Sequence, residues 1–148
     1  MKAIISASLL LAAFWAFATP VHARDLLGKT LTHVWQEASA NGDTIEKRFE
    51  TFFCETDFLV WNDISQLADP EHHQAAYTMT EITPDITQVS WKDSPETSNL
   101  GYVWTLDFTT GKIFGVIINA EQDSNLQVEG TFEVLSGVTP SDGRKGCS

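Results

Sequence analysis

The chain is poor in basic residues and in cysteine, and both shortages limit the partners and the kinds of site that we expect. It has 148 residues, with 9 lysines and arginines against 20 aspartates and glutamates, and a formal net charge of −11. An acidic surface repels phosphate groups, so nucleic acid and anionic membrane surfaces are poor partners. The adjacent His72 and His73 follow Glu71, but no further ligand lies at a metal-site spacing. We therefore expect no metal and no cofactor.

Several sequence motifs are also missing. The chain has no serine elbow, no glycine-rich phosphate loop and no Cys–His pairing typical of thiol catalysis. It has no Asn-x-Ser/Thr site for glycosylation either. The sequence by itself therefore assigns no reaction.

The first 23 residues have the three parts of a secretory signal peptide. Lys2 supplies a positive start, residues 3–18 are an unbroken run of apolar and small residues, and Val21-His22-Ala23 resembles a cleavage site. The apolar run is short of the roughly 20 residues that span a bilayer. We expect cleavage after Ala23, one domain at residues 24–148, a secreted or periplasmic location, and no membrane contact after cleavage.

The two cysteines are Cys54 and Cys147. In an exported chain an even number of cysteines favours a disulfide. A bridge between them would close a long loop and stabilise the fold by about 4–5 kcal/mol in the chain-entropy model. The alternative is a buried free Cys54 with a frayed Cys147.

Short runs rich in β-branched and aromatic residues alternate with Asn, Asp, Gly and Pro, which is typical of strands joined by turns. Residues 63–74 are predicted to be a loop or a short helix. Thr109-Thr110-Gly111 indicates a tight hairpin, because glycine readily takes the left-handed backbone conformation. The predicted strands are Thr30–Gln36, Thr44–Phe53, Phe58–Trp61, Ala75–Ile82, Ile86–Lys92, Gly101–Phe108, Lys112–Ala120 and Leu126–Leu135.

About eight antiparallel strands with short connections predict an all-β fold, an up-and-down barrel whose closure removes exposed edges. A barrel of this size either holds one small ligand or is filled by its own side chains. A two-sheet sandwich is the competing architecture.

Alternation along the strands gives a set of candidate site residues. Side chains two apart on a strand face the same way. One face of the first strand carries His33 and Trp35, one face of the fifth carries Trp91 and Asp93, and one face of the sixth carries Trp104. If these faces point inward, they would bind a small hydrophobic or aromatic molecule with a polar handle. The alternatives are an ordinary aromatic core, a hydrogen-bonded core His33, and an Asp93 that caps a turn.

Three regions of the sequence resemble known proteins. They are Leu27-Gly28-Lys29-Thr30-Leu31 with the later Asn41-Gly42-Asp43, the stretch 86–93, and the stretches 105–108 and 112–118. The first resembles the start of a MoaF-like domain, named after a molybdenum-cofactor biosynthesis protein, and the later stretches are similar to that group and to bacterial phenolic acid decarboxylases. Both groups are calycin-like, lipocalin-shaped barrels, so the resemblance implies a barrel with an internal pocket.

The resemblance does not carry the decarboxylase activity with it. Those enzymes handle a hydroxycinnamate with two tyrosines, an arginine and a glutamate. The tyrosine positions correspond here to His33 and Trp35, and the glutamate position to the shorter Asp93. No arginine occurs in residues 52–63, where its counterpart belongs.

Three functions remain open on the sequence. The first is an exported lipocalin-like module that binds a small hydrophobic or aromatic molecule. The second is a lyase or isomerase for a small phenolic or unsaturated acid, with His33 and Asp93 as an acid/base pair. The third is a solidly packed structural or interaction barrel.

Overall fold

The structure, a computed structural model, describes residues 26–38, 43–54, 57–65 and 71–136. The predicted signal peptide, residues 1–23, and Cys147 lie outside these ranges. The signal peptide and the disulfide that involves Cys147 therefore stay predictions. Within the described ranges there is no helix of the length and apolar character needed to cross a membrane.

Eight antiparallel strands form one closed barrel. Each strand pairs with the next along the chain, and the last pairs with the first. This confirms the predicted all-β up-and-down barrel. The strands are β1 (Lys29–Ala38), β2 (Thr44–Phe53), β3 (Phe58–Asp63), β4 (Glu71–Thr83), β5 (Ile86–Lys92), β6 (Leu100–Asp107), β7 (Lys112–Asn119) and β8 (Ser124–Ser136).

The strand pattern in the sequence matches the burial. On β5, Val89 and Trp91 are buried while Gln88 and Lys92 are exposed. A side-chain period of two puts alternate residues on the inner and outer faces of the wall. The inner faces of all eight strands together make one continuous core, which is the main source of hydrophobic stabilisation.

The β6–β7 hairpin forms where the sequence predicted it. Gly111 has a φ of 67°, and the Asp107 carboxylate accepts hydrogen bonds from the backbone N–H groups of Thr109 and Thr110. The Thr110 hydroxyl also donates to Asp107, and these bonds lower the pKa of its carboxyl group. A turn with φ above zero is inexpensive for glycine because it has no Cβ.

Strands β3 and β4 reach further than the sequence predicted. Asp63 ends β3, and Glu71 begins β4 rather than Ala75. The ladder pairs Asp63 with Glu71 and Trp61 with His73. Of the stretch predicted as a loop or short helix, Ile64 and Ser65 are described outside strands, and residues 66–70 lie outside the described ranges.

The two ends of the barrel differ. Leu26 precedes β1 in a short turn, is fully buried, and belongs to the same core as Phe53 and Leu59. The Gly28 N–H donates a hydrogen bond to the Phe53 carbonyl, which connects this turn to β2. We call this the closed end. The opposite end, where β3, β5 and β7 finish, is called the mouth.

The seam between β1 and β8 depends on a glycine. Gly130 pairs with Trp35 on one side and with Ile113 on the other. A Cβ on Gly130 would overlap the Val34 carbonyl oxygen and would lie 2.9 Å from its carbon. The backbones of β1 and β8 therefore approach more closely than a side chain at residue 130 would permit.

A second, smaller apolar cluster contains Phe52, Val60 and Cys54, with Phe58 packed against it. Cys54 is 2 % exposed. It directly follows β2, and its proposed disulfide partner lies outside the described residues. The Cys54–Cys147 pairing therefore stays a prediction.

We predict that Gly130→Ala destabilises the barrel by about 2–3 kcal/mol, since extra atoms in a tight site force backbone shifts. Urea unfolding followed by circular dichroism measures the change. Gly101→Ala is the matched control, because its Cβ would meet Ile118 at an ordinary 3.7 Å. Equal stabilities for the two variants would contradict the role given to Gly130.

We predict that the purified, unfolded, unreduced protein adds no alkyl group at Cys54 when treated with iodoacetamide. After reduction, both cysteines should be alkylated. Intact-mass spectrometry measures the additions. Alkylation at both cysteines before reduction would show two free thiols and rule out the disulfide.

Candidate functional site

A cavity of about 270 Å³ lies inside the barrel near the mouth. Six of the residues around it are aromatic, and five strands supply them. Every tryptophan in the described part of the chain is among them. The lining residues are Trp35, Lys47, Phe49, Trp61, Asp63, Trp91, Ser98, Leu100, Tyr102, Trp104 and Ile117.

Strand register explains why these rings meet. Trp91 on β5 pairs with Tyr102 on β6, and their rings stack at 4.7 Å with 13° between their planes. Trp104, two residues further along β6, meets Trp91 edge to face at 4.3 Å. Stacked and perpendicular pairs are the favoured geometries for aromatic rings, so one wall of the cavity is preorganised.

Gly115 makes room for the indole of Trp104. It pairs with Trp104 across β6 and β7, and a Cβ there would lie 3.0 Å from Trp104 Cδ1 and 2.8 Å from Val128 Cγ2. A larger residue at 115 would push the indole away from its present position. The glycine therefore sets the shape of the cavity wall.

His33 lies beside the cavity, among the rings that line it. It is 1 % exposed, stacks on Phe49 at 5.1 Å, and contacts Trp104 edge-on at 4.3 Å. Neither ring nitrogen has a hydrogen-bond partner. Burial without a partner penalises the charged form, and it lowers the pKa of His33 from 6.5 to about 3.

Asp93 is a buried hydrogen-bond acceptor near the same end of the barrel. Its Oδ1 accepts from Trp61 Nε1 at 3.2 Å. Its Oδ2 accepts from the Ser98 hydroxyl at 2.5 Å and from the Tyr102 hydroxyl at 3.3 Å. Its side chain is fully buried. Three donors are the kind of compensation that a buried carboxylate requires.

His73 is the imidazole next to this carboxylate. Its Nδ1 lies 3.7 Å from Asp93 Oδ2, and its ring stacks on Trp61 at 4.3 Å with 10° between the planes. The adjacent His72 is exposed, because it occupies the outer face of β4. We call Asp93, His73, Trp61, Tyr102 and Ser98 the Asp93 cluster.

The structure places the predicted site residues in two groups. Trp35, Trp91 and Trp104 line the cavity, while His33 and Asp93 are buried beside it. The hydrogen bonds and ion pair described for Asp93 involve Trp61, Ser98, Tyr102 and His73, not His33. The acid/base pairing of His33 with Asp93 therefore has no direct contact to support it, and the ligand role of the predicted residues stays a prediction.

Sequence reasoning missed His73 because residues 63–74 were interpreted as a loop or helix. Extending the alternation of β4 back from Tyr77 places Ala75 and His73 on its face, and both are buried. It also missed Lys47 and Asp63, a salt bridge of 3.6 Å in the cavity lining. Alternation along Thr44–Phe53 places Lys47 on the same face as Phe49, which was the available signal.

Within the described ranges, no three His, Cys, Asp or Glu side chains are grouped so that they could hold a metal ion. The polar groups of the site instead form hydrogen bonds with one another. The Asp93 cluster fixes the orientation of Trp61 and Tyr102, two walls of the cavity. The arrangement suits binding of a small molecule better than it suits an exposed nucleophile.

Comparison with known proteins supports the fold. No family model matches the chain, and no curated protein matches it. A crystal structure of a protein from Burkholderia vietnamiensis, provisionally named a beta-lactamase, is similar with a TM-score of 0.58 and 14 % identity. The match covers 74 % of this chain and 95 % of that one. At this identity the likeness shows a shared barrel, and MoaF-like or decarboxylase-like membership stays a prediction.

We predict that the stability of the protein falls as pH drops below 6.5, in part because of His33. The unfolded state binds a proton at His33 near pH 6.5 and the folded state only near pH 3. Between these values the unfolded state holds more protons, so this contribution changes by up to about 1.4 kcal/mol per pH unit.

His33→Phe should remove this contribution and flatten the pH dependence of unfolding between pH 6 and 4. Urea denaturation at a series of pH values measures the slope. His72→Phe changes an exposed histidine and should keep the original slope. An unchanged slope in His33→Phe would mean that His33 is not held neutral in the folded protein.

Proposed function

We propose that this protein is an exported, lipocalin-like barrel of the MoaF-like group that binds one small aromatic or hydrophobic molecule. The observation that carries the proposal is the aromatic cavity of about 270 Å³ near the mouth. Ligand pockets are typically concave, mainly apolar and aromatic, with a few polar groups that fix orientation. The volume of the cavity is slightly below the roughly 300–1,000 Å³ of typical ligand pockets, which favours a ligand with one ring or a short branched chain.

The apolar part of the lining would supply most of the affinity. The indoles of Trp35, Trp61, Trp91 and Trp104 surround the cavity together with Phe49 and Tyr102. Aromatic side chains offer large contact areas and lose little conformational freedom on binding. Their mutual packing lowers the cost of organising the site.

The polar part of the lining would orient the ligand. Lys47 and Asp63 lie next to each other at the cavity, and their side chains are 28 % and 19 % exposed. They are the charged residues in direct contact with the cavity among those described. A ligand with a polar end would place it toward them, with its apolar part against the rings.

Binding is favoured over catalysis by the position of the Asp93 carboxylate. It is fully buried, bonded to three donors, and separated from the cavity by Trp61 and Tyr102, which line the cavity themselves. A general acid or base must come within hydrogen-bond reach of its substrate. The lyase or isomerase alternative would require this cluster to rearrange. The alternative of a solidly packed barrel is disfavoured by the cavity.

We predict that a small aromatic molecule changes the tryptophan fluorescence of the mature protein, because the described tryptophans all line the cavity. Phenethyl alcohol, phenethylammonium and phenylacetate form a suitable panel. Trp91→Leu should weaken binding of the best ligand about tenfold, through lost ring contacts. Isothermal titration calorimetry confirms the affinities.

Phe114→Leu is the control, because Phe114 lies on the outer face of β7 and is 43 % exposed. Its affinity should match that of the unmodified protein. If no molecule of the panel and no wider set of lipophilic compounds binds, the proposed function is wrong. If Trp91→Leu and Phe114→Leu behave alike, ligands bind elsewhere.

A further inference from the structure

We propose that the ligand of the aromatic cavity is an organic cation, of the alkylammonium or arylalkylammonium class. The inference rests on the proposed function and specifies the charge of the molecule bound there. Three features carry it: the aromatic rings of the lining, the engagement of the lining's hydrogen-bond donors, and the excess of carboxylates around the mouth.

The rings of the lining favour positive charge. The face of an indole or phenol ring is electron-rich, and it attracts a cation within about 6 Å of the ring centre, most strongly in a site that excludes water. Indoles from Trp35, Trp61, Trp91 and Trp104 surround this one small cavity. Trp91 is 6 % exposed and Trp104 2 %, so water has little access to them.

The donors of the lining are directed away from an incoming anion. The Trp61 N–H and the hydroxyls of Ser98 and Tyr102 all donate to the Asp93 carboxylate. An anionic ligand would have to compete with Asp93 for these donors. A cationic ligand would instead leave them in place and gain from the carboxylate charge just behind Trp61 and Tyr102.

Two indole N–H groups in the lining have no acceptor, those of Trp91 and Trp104. The Trp104 nitrogen lies against Gly115, where a Cβ would be 3.3 Å away, so it faces the barrel wall. The Trp91 N–H therefore remains as one uncharged donor. One neutral donor does not balance the desolvation of a buried anion.

The lysine of the lining does not reverse this preference. Lys47 Nζ lies 3.6 Å from Asp63 Oδ2, so the pair contributes little net charge. Asp63 is also held in place, because its Oδ1 accepts a hydrogen bond from the Ser65 N–H. With this pair neutral, the other carboxylate next to the cavity lining is Asp93, which accepts hydrogen bonds from three lining residues and lies 3.7 Å from His73 Nδ1.

The mouth is acidic beyond the cavity itself. The Asn99 side chain donates to Glu121 at 2.8 Å and connects the β5–β6 and β7–β8 loops. Carboxylates at or between the strand ends that form the mouth outnumber lysines, and such a rim concentrates cations. The described carboxylates there include Asp43, Glu46, Asp63, Asp93, Glu96, Glu121 and Asp123, and the basic residues are Lys47, Arg48 and Lys92.

The test compares three probes that share a phenyl ring and a short chain but differ in charge. Phenethylammonium is cationic, phenethyl alcohol is neutral and phenylacetate is anionic. The mature protein should bind phenethylammonium at least about fivefold more tightly than phenethyl alcohol, and phenylacetate most weakly. The preference for the cation should shrink as salt is added.

Charge variants at the cavity test whether negative charge there strengthens the binding of the cation. Lys47→Gln should tighten phenethylammonium binding about threefold, because it leaves Asp63 unpaired, and Asp63→Asn should weaken it by a similar factor. The affinity for uncharged phenethyl alcohol should change by less than the affinity for the cation in both variants, and circular dichroism verifies that both variants are folded. Lys112→Gln and Glu129→Gln remove the charges of a salt bridge on the outer face of β7 and β8. These two controls should leave every affinity unchanged.

The outcomes separate this inference from the function on which it rests. If phenethyl alcohol or phenylacetate binds as tightly as phenethylammonium, the ligand is not selected for positive charge, while the binding function stands. If Lys47→Gln weakens cation binding, the proposed electrostatics are wrong. If none of the three probes binds and a wider lipophilic set also fails, the binding function itself is wrong.

Discussion

Closure of the sheet between β1 and β8 is the constraint on which the rest of the molecule depends. Once β8 pairs with β1, every inner face points at every other, and rings from five strands surround one cavity. The closure requires close backbone approach at Gly130, beside Val34. The pairing also removes the two sheet edges that an open eight-stranded meander would expose. A single residue without a side chain thus supports both the barrel and its interior.

Buried polar groups destabilise such a barrel unless they form hydrogen bonds with one another. Asp93 meets this requirement with three donors, and in doing so it determines how Trp61 and Tyr102 are oriented. His33 has no such hydrogen bond, and it stays neutral among the rings that surround it. One polar residue organises the cavity wall through hydrogen bonds, and the other packs as an aromatic side chain.

The fold was predictable from the sequence because it depends on local alternation and on turn residues. The strands around Trp91 and Trp104, and the hairpin at Gly111, follow from those signals alone. The pairing of Asp93 with His73 does not, because it depends on the register between β4 and β5 and on where β4 begins. Ring contacts across strands are likewise set by register, which a single sequence specifies only weakly.

The closed end has a kinetic consequence. Leu26 is buried against the same core that the cavity adjoins, and the Gly28–Phe53 hydrogen bond holds its turn in place. Among the described residues the closed end is filled, so a molecule bound as proposed would arrive and depart through the mouth. Two molecules cannot pass each other on that route, so exchange of one ligand for another requires an empty barrel in between. Replacement should proceed at the dissociation rate of the first ligand, however concentrated the second.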